Sequence, residues 1–252
     1  MDSLLLTGRR AVVTGAGDIG AAIARALHRN GAMVEVWDRS LPALAALEAD
    51  GISVREVDLA DDDAISAAAT AAIEFLGGVD SLVTSAAIAR FGTVEAMPVK
   101  DWDDTMDVNL RAVYLTCRAF LTHMRESGGG SIVNISSIGG LRGEPEFTAY
   151  CASKFALIGF SQSLAREVGE HGIRVNSVCP GAVASQMNYD TMARDARRLG
   201  CTVADIEQRI VARTSLRRLV DPSDVANAVV FLHSDLASCV TAESISVTGG
   251  VF

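Results

Sequence analysis

Long apolar runs are missing from this chain, and none approaches the ~18 residues that a membrane-spanning helix needs. Met1 to Arg10 holds only Leu4-Leu5-Leu6 as an apolar core, and its positive charges follow that core, so no secretory signal is expected there. Basic residues are in deficit, 22 Lys and Arg against 31 Asp and Glu, and the net charge is −9. A protein that tracks nucleic-acid phosphates needs a basic face, so that class of partner is excluded. The five cysteines (Cys117, Cys151, Cys179, Cys201, Cys239) are scattered, with no CxxC pair and no Cys/His cluster. Neither a metal site nor a redox pair is expected, and free buried thiols of a reducing cytoplasm are. Only five prolines occur, no charged or proline-rich linker divides the chain, and no repeat is visible. Residues 1–252 therefore read as a single domain.

What is present is apolar content of 49% with 21% charged residues, enough for a packed core. Short β-branched runs read as strands at 11–14, 33–37, 53–57, 81–84, 131–135, 174–178 and 244–247. Alanine-rich segments with helical spacing alternate with them: 19–30, 61–76, 99–126, 148–168 and 222–233. Asp221-Pro222-Ser223-Asp224 is a helix start signal, with a capping acid and proline at the first helical position. Such alternation implies an α/β fold, a doubly wound parallel sheet of about seven strands with helices on both faces. Residues 184–218 break the rhythm, being polar and rich in Arg and Met. Following a strand's carboxyl end, this segment reads as a substrate lid, with an interface as the alternative.

Gly15-Ala16-Gly17-Asp18-Ile19-Gly20 follows the first strand and opens the first helix. Glycines there permit a tight turn and a close backbone approach, and the helix N-terminus attracts a pyrophosphate. Asp38, just past the second strand, can accept from both ribose hydroxyls and repel a 2′-phosphate, which favours NAD over NADP. Arg39 beside it is the opposing signal. Asp58 after the third strand is placed for the adenine edge or for a cap. Tyr150 and Lys154 fall on one helix face, where a cation lowers the phenol pKa and makes it a usable acid/base. Ser137 lies upstream at a strand end, and Asn109 inside the preceding long helix.

With Thr14-Gly15, Gly20, Asp58-Leu59, Asn109-Leu110, Asn134-Ile135-Ser136-Ser137, Tyr150 with Lys154, Pro180-Gly181-Ala182-Val183 and Val247-Thr248-Gly249-Gly250, nearly the whole chain resembles the short-chain dehydrogenase/reductase family. The resemblance implies a single Rossmann-like domain and a hydride transfer between NAD and a secondary alcohol or its ketone. It casts Tyr150 as general acid/base and Ser137 as the group that holds the substrate oxygen. Lys154 would tune Tyr150 and bind the nicotinamide ribose, and Asn109 would hold a relay water. Val183 would meet the carboxamide on a turn shaped by Pro180 and Gly181, with Ser185 offering a hydroxyl nearby. A homotetramer paired through helices 99–126 and 148–168 is also implied.

Three departures stand out. The glycine loop is one residue short, with Asp18 placed to repel the pyrophosphate or to cap its own helix. Thr84-Ser85-Ala86-Ala87 replaces N-N-A-G at the adenosine site, and Thr248 replaces an Asp. The candidate pocket set is mixed in character: polar Arg90, Arg142, Glu144, Glu146 and Asn188, apolar Ile88, Leu141, Phe147, Met187 and Met192. A small sugar, polyol or hydroxy acid suits that mixture. The alternatives are a 3-oxoacyl-thioester reductase, docking an acidic carrier on Arg194, Arg197, Arg198, Arg217 and Arg218, and a non-catalytic nucleotide sensor.

Overall fold

The computed structural model describes residues 4–251. Seven strands, β1 (Arg10–Thr14), β2 (Met33–Asp38), β3 (Ser53–Glu56), β4 (Ser81–Thr84), β5 (Gly130–Ile135), β6 (Ile173–Pro180) and β7 (Ser244–Val247), form one sheet in the order β3-β2-β1-β4-β5-β6-β7. All neighbours pair in parallel. The fold is the doubly wound α/β sheet expected from the sequence.

Side chains alternate across a strand, so each strand feeds two cores. Ala11 and Val13 of β1 join one core, against α1 (Asp18–Arg29), α2 (Leu41–Glu48) and α9 (Pro222–His233). Val12 enters the other, against α3 (Asp62–Leu76), α5 (Ala112–Glu126) and α6 (Thr148–Val168). This double burial is why the strands read as continuous apolar runs. One buried charge interrupts them. Glu35 in β2 accepts from Trp37 Nε1 at 2.7 Å and from Arg55 Nε at 2.7 Å, so its carboxylate is paired rather than orphaned.

The strand order reverses between β1 and β4, and ligands of open α/β sheets bind at the carboxyl ends beside such a reversal. Local signals steer the chain there. Asp221 and Asp224 close a capping box on α9 with Pro222 at the first helical position. Asp61 caps α3, which ends at Gly77 with a left-handed φ of 70°.

Two segments differ from the sequence expectation. The helix expected to run from 99 to 126 is divided into α4 (Val99–Met106), a π turn (Asp107–Arg111) and α5. The wider turn seats Asn109, fully buried, against the backbone that follows β4. Residues 184–218 are largely helical: α7 (Gln186–Leu199) and α8 (Val203–Arg213) share a small core of Met192, Ala196, Ile206 and Leu219. No described helix is long and apolar enough to cross a membrane. Cys117, Cys151 and Cys179 are buried, but Cys201 is half-buried and Cys239 exposed, so the cysteines are not uniformly core residues.

Candidate active site

Two cavities meet at the carboxyl edge of the sheet. The larger, about 370 Å³, runs from the glycine loop (Gly15, Gly17, Ile19, Gly20) past Asp38, Arg39, Asp58 and Leu59 to Ser85, Ala86 and Ala87. It ends at Lys154 and Tyr150. The smaller, about 280 Å³, starts at Tyr150 and Ser137 and is roofed by residues of α7 and α8. Tyr150 lines both cavities, Ser137 only the smaller and Lys154 only the larger.

The loop around Gly15 is built for close approach. Gly15 has φ of 90°, and a Cβ there would lie 2.7 Å from the Ala86 backbone nitrogen. A Cβ on Gly20 would meet the Gly15 carbonyl oxygen at 1.9 Å. Gly17 faces open space and precedes α1 with no side chain capping the first turn. That leaves a helix N-terminus whose N–H groups suit a diphosphate, so these residues fit a dinucleotide.

Asp18 also lines the larger cavity. It does not cap α1, and its carboxylate is committed elsewhere: Oδ2 accepts from the backbone N–H of Gln186 at 2.6 Å, at the first residue of α7. Negative charge is favoured at that second helix terminus. Asp38 is held by two backbone donors, Ala16 N–H to Oδ2 at 2.6 Å and Ser40 N–H to Oδ1 at 2.7 Å. Its carboxylate is thereby fixed beside the glycine loop, with lone pairs left for a ligand. Exposed Arg39 lies on the same wall. Asp58 Oδ1 accepts from Ala60 N–H at 3.0 Å in the turn before α3 and lines the cavity; the helix is capped by Asp61, so the capping alternative for Asp58 is not met.

The substitutions in Thr84-Ser85-Ala86-Ala87 keep a polar link between elements. Thr84 Oγ1 donates to Asn134 Oδ1 at 2.7 Å, and Asn134 Nδ2 donates to Ser161 Oγ at 2.8 Å, which ties β4 and β5 to α6. Thr248 carries part of the usual turn, because its Oγ1 accepts from Gly250 N–H at 3.2 Å.

Burial decides the ionisation of the central pair. It pushes the Tyr150 phenol above its ordinary pKa, with the Ser137 hydroxyl pulling the other way. The expected lowering by Lys154 is not found. Burial drops the Lys154 ammonium to about 8, and its Nζ donates to the Ile135 carbonyl at 2.9 Å, 5.7 Å from the Tyr150 ring centre. A cation so placed and so weakened does not offset the phenol's loss of solvation. Ser137 Oγ accepts from Gly139 N–H at 3.0 Å, which fixes the hydroxyl oxygen at the cavity mouth.

The Asn109 side chain is committed to neighbouring protein groups. Its Oδ1 accepts from Ile88 N–H at 2.8 Å, and its Nδ2 donates to the Ile88 carbonyl at 2.9 Å and Ser153 Oγ at 3.1 Å. Both amide protons are spent, so the side chain braces the loop after β4 against α6 and has no proton to give a water. The Val183 carbonyl is likewise taken, by Ser185 N–H at 2.8 Å and Asn188 Nδ2 at 2.9 Å. Buried Pro180 and Gly181 line the smaller cavity, where Gly181 packs 3.0 Å, measured from an added Cβ, against Thr248. Ser185 borders both cavities.

Of the mixed pocket set, Arg142, Glu144, Phe147, Met187 and Asn188 line the smaller cavity. Ile88 lines the larger one instead. Arg90 pairs with Asp101 at 3.7 Å, Glu146 with Arg194 and Arg198, and Leu141 is exposed. Met192 is fully buried in the α7–α8 core, which removes it from the substrate wall. Thr191, Ile210 and Arg213 were missed. Thr191 follows Met187 by one helical turn, and Ile210 and Arg213 are likewise three apart on α8. Among the described residues no group of three or more His, Cys, Asp or Glu could hold a metal.

Comparison with known proteins agrees with this geometry. The family model described as Enoyl-(Acyl carrier protein) reductase matches residues 15–252. Nodulation protein G of Rhizobium sp. (strain N33) is 39% identical over 98% of this chain and 98% of its own. The probable galactose dehydrogenase of Rhizobium meliloti (strain 1021) is 36% identical over 98% of this chain and 96% of its own. A crystal structure of an actinorhodin polyketide ketoreductase variant with NADPH superposes with a TM-score of 0.92 at 34% identity, covering 96% of each chain. With its sheet order, its glycine loop and its Ser137–Tyr150–Lys154 junction, the chain belongs to the short-chain dehydrogenase/reductase family of oxidoreductases.

Proposed function

We propose that this protein is an NAD-dependent dehydrogenase/reductase acting on a secondary alcohol or its ketone in a small sugar, polyol or hydroxy acid. The observation that carries the reading is the position of Tyr150, an acid/base side chain on the wall of both the dinucleotide-sized cavity and the smaller one. The bound nicotinamide would supply or accept the hydride.

The chain's own residues handle the proton. Ser137 holds the substrate oxygen at the cavity mouth. Tyr150 is protonated at neutral pH because burial raises its pKa, and so donates its phenolic proton to a carbonyl oxygen in the reducing direction. In the oxidising direction the base is its phenolate, which accepts the hydroxyl proton, so a raised pKa makes oxidation favour higher pH. Lys154 is the buried base next to Tyr150 and lies on the cofactor side, placed to hold a ribose hydroxyl. Val183 has its carbonyl occupied, so its N–H is the group it would offer to a carboxamide.

Asp38 supports NAD: an anion fixed beside the glycine loop disfavours a 2′-phosphate. The acyl-carrier alternative loses support, because Arg194, Arg198 and Arg218 of the candidate docking patch are paired with Glu146, Asp195 and Asp224. Exposed Tyr114 on α5 and Phe155 on α6 support a homo-oligomer formed through those helices, with a tetramer as the proposed state. The free cysteines suit a cytoplasmic site of action. Residues 184–218 act as the lid. The reading is tested by a screen with NAD and NADP across sugars, polyols, hydroxy acids and 3-hydroxyacyl thioesters, with wild type and Asp38→Ala. Turnover with NAD, and a relaxed NAD/NADP preference in the variant, is the expected result. Turnover of thioesters alone with NADP would contradict it.

A further inference from the structure

The walls of the smaller cavity carry two guanidinium groups without a carboxylate partner. Arg142 lies on the loop after β5, between Ser137 and Tyr150 in sequence, and Arg213 is the last residue of α8. Neither makes an ion pair among the described residues. Arg194 and Arg198 nearby are held by Glu146 and Asp195, and Arg218 by Asp224, while exposed Arg213 is free to turn to a ligand. Arg142 is half-buried, and its Nε is shielded from solvent without a hydrogen-bond partner. An arginine stays charged at any working pH, and a shielded donor left unpaired is costly. The arrangement is that of a receptor for an anion rather than of a structural salt bridge.

We propose that the substrate carries an anionic oxygen group, a carboxylate or a phosphate, which Arg142 receives from the floor and Arg213 from the lid while the reacting oxygen meets Ser137 and Tyr150. This rests on the dehydrogenase reading above and narrows its substrate class. Glu144 is the one carboxylate on the same wall, and it leaves the lining with a net excess of one positive charge. A cavity of about 280 Å³ sits at the small end of ligand sites, which suits a short hydroxy acid or a phosphorylated polyol. Binding from both floor and lid also gives closure a cause, since the anion draws α8 toward the loop that bears Arg142. Arg142 and Arg213 are thus specificity-determining residues and take no part in the proton transfer.

The test uses matched compounds: 2- and 3-hydroxy acids with their methyl esters, polyol phosphates with the free polyols, and amino alcohols. Wild type is expected to favour the anionic member of a pair by at least about tenfold in kcat/KM. Arg142→Gln should raise KM for the anionic member about tenfold while leaving kcat and the neutral member nearly unchanged, and Arg142→Lys should recover part of the loss. Acids preferred over phosphates, or the reverse, identifies which group the site takes. Preference for the ester, the free polyol or the amino alcohol overturns the inference, as does an anion preference that survives both Arg142→Gln and Arg213→Gln. Equilibrium titration of the same compounds keeps the two readings apart. Arg142-dependent affinity for acids without any turnover defeats the dehydrogenase reading alone, and equal affinity for acids and esters defeats the anion inference alone.

Discussion

Asp18 and Gln186 stand 168 positions apart and are joined by a 2.6 Å hydrogen bond, the Gln186 backbone N–H donating to Asp18 Oδ2. The glycine loop and the lid helix are thereby tied at one point. A carboxylate on the wall of the dinucleotide-sized cavity thus serves a second helix terminus, where negative charge is also favoured.

Asp18→Gly should therefore loosen the start of α7. Removing a capping acceptor costs about 1 kcal/mol locally. Amide hydrogen exchange in the first turn of α7 is expected to speed up several-fold, with little change in α9, and cofactor affinity should fall rather than rise. Tighter binding with unchanged exchange at α7 would return Asp18 to the role of a repulsive group.

The two lid methionines separate function from packing. Met187 lines both cavities, whereas Met192 is fully buried between α7 and α8. Met192→Ala should cost about 2–5 kcal/mol of stability, the range for buried large-to-small changes. Any effect on substrate KM should follow from that. Met187→Ala should leave the melting temperature nearly unchanged and raise KM for substrate. Denaturant titrations alongside steady-state kinetics check both.

His233 sets part of the acid limit. Its ring is buried at the end of α9, neither nitrogen has a hydrogen-bond partner among the described residues, and burial lowers its pKa to about 3. Arg174 and Arg9 oppose its protonation as well. Between about 3 and the unfolded value of 6.5 the unfolded chain binds the extra proton, so this contribution to stability is full above 6.5 and is lost as pH falls. The slope is at most about 1.4 kcal/mol per pH unit. His233→Leu should flatten the acid side of the stability profile between pH ~6 and ~4. An acid limb as steep as that of wild type would mean that other groups set it.

Much of the frame was legible in the sequence because the central strands are buried on both faces and so read as apolar, β-branched runs. The Asp221-Pro222 start signal and the glycines at 15 and 20 were legible because backbone geometry restricts those positions to few residue types. The site was legible where residues lie near one another in the chain, as Tyr150 and Lys154 do. What was hidden is tertiary. The partner of Asp18 lies across the fold, and the phase of α7 decides that Met187 faces the cavity while Met192 faces α8. The π turn at Asn109 leaves no composition signal, and the raised Tyr150 pKa depends on burial outweighing a nearby cation whose own pKa burial lowers.

The central claim is that Tyr150, where the two cavities meet, exchanges a proton with the substrate oxygen. Its most direct test is the turnover of Tyr150→Phe with NAD and an alcohol that wild type oxidises, measured together with NADH binding and the melting temperature. Fold and binding should persist, since only the hydroxyl is removed, while kcat should fall by at least about 10²-fold. A variant that turns over at the wild-type rate would contradict the account.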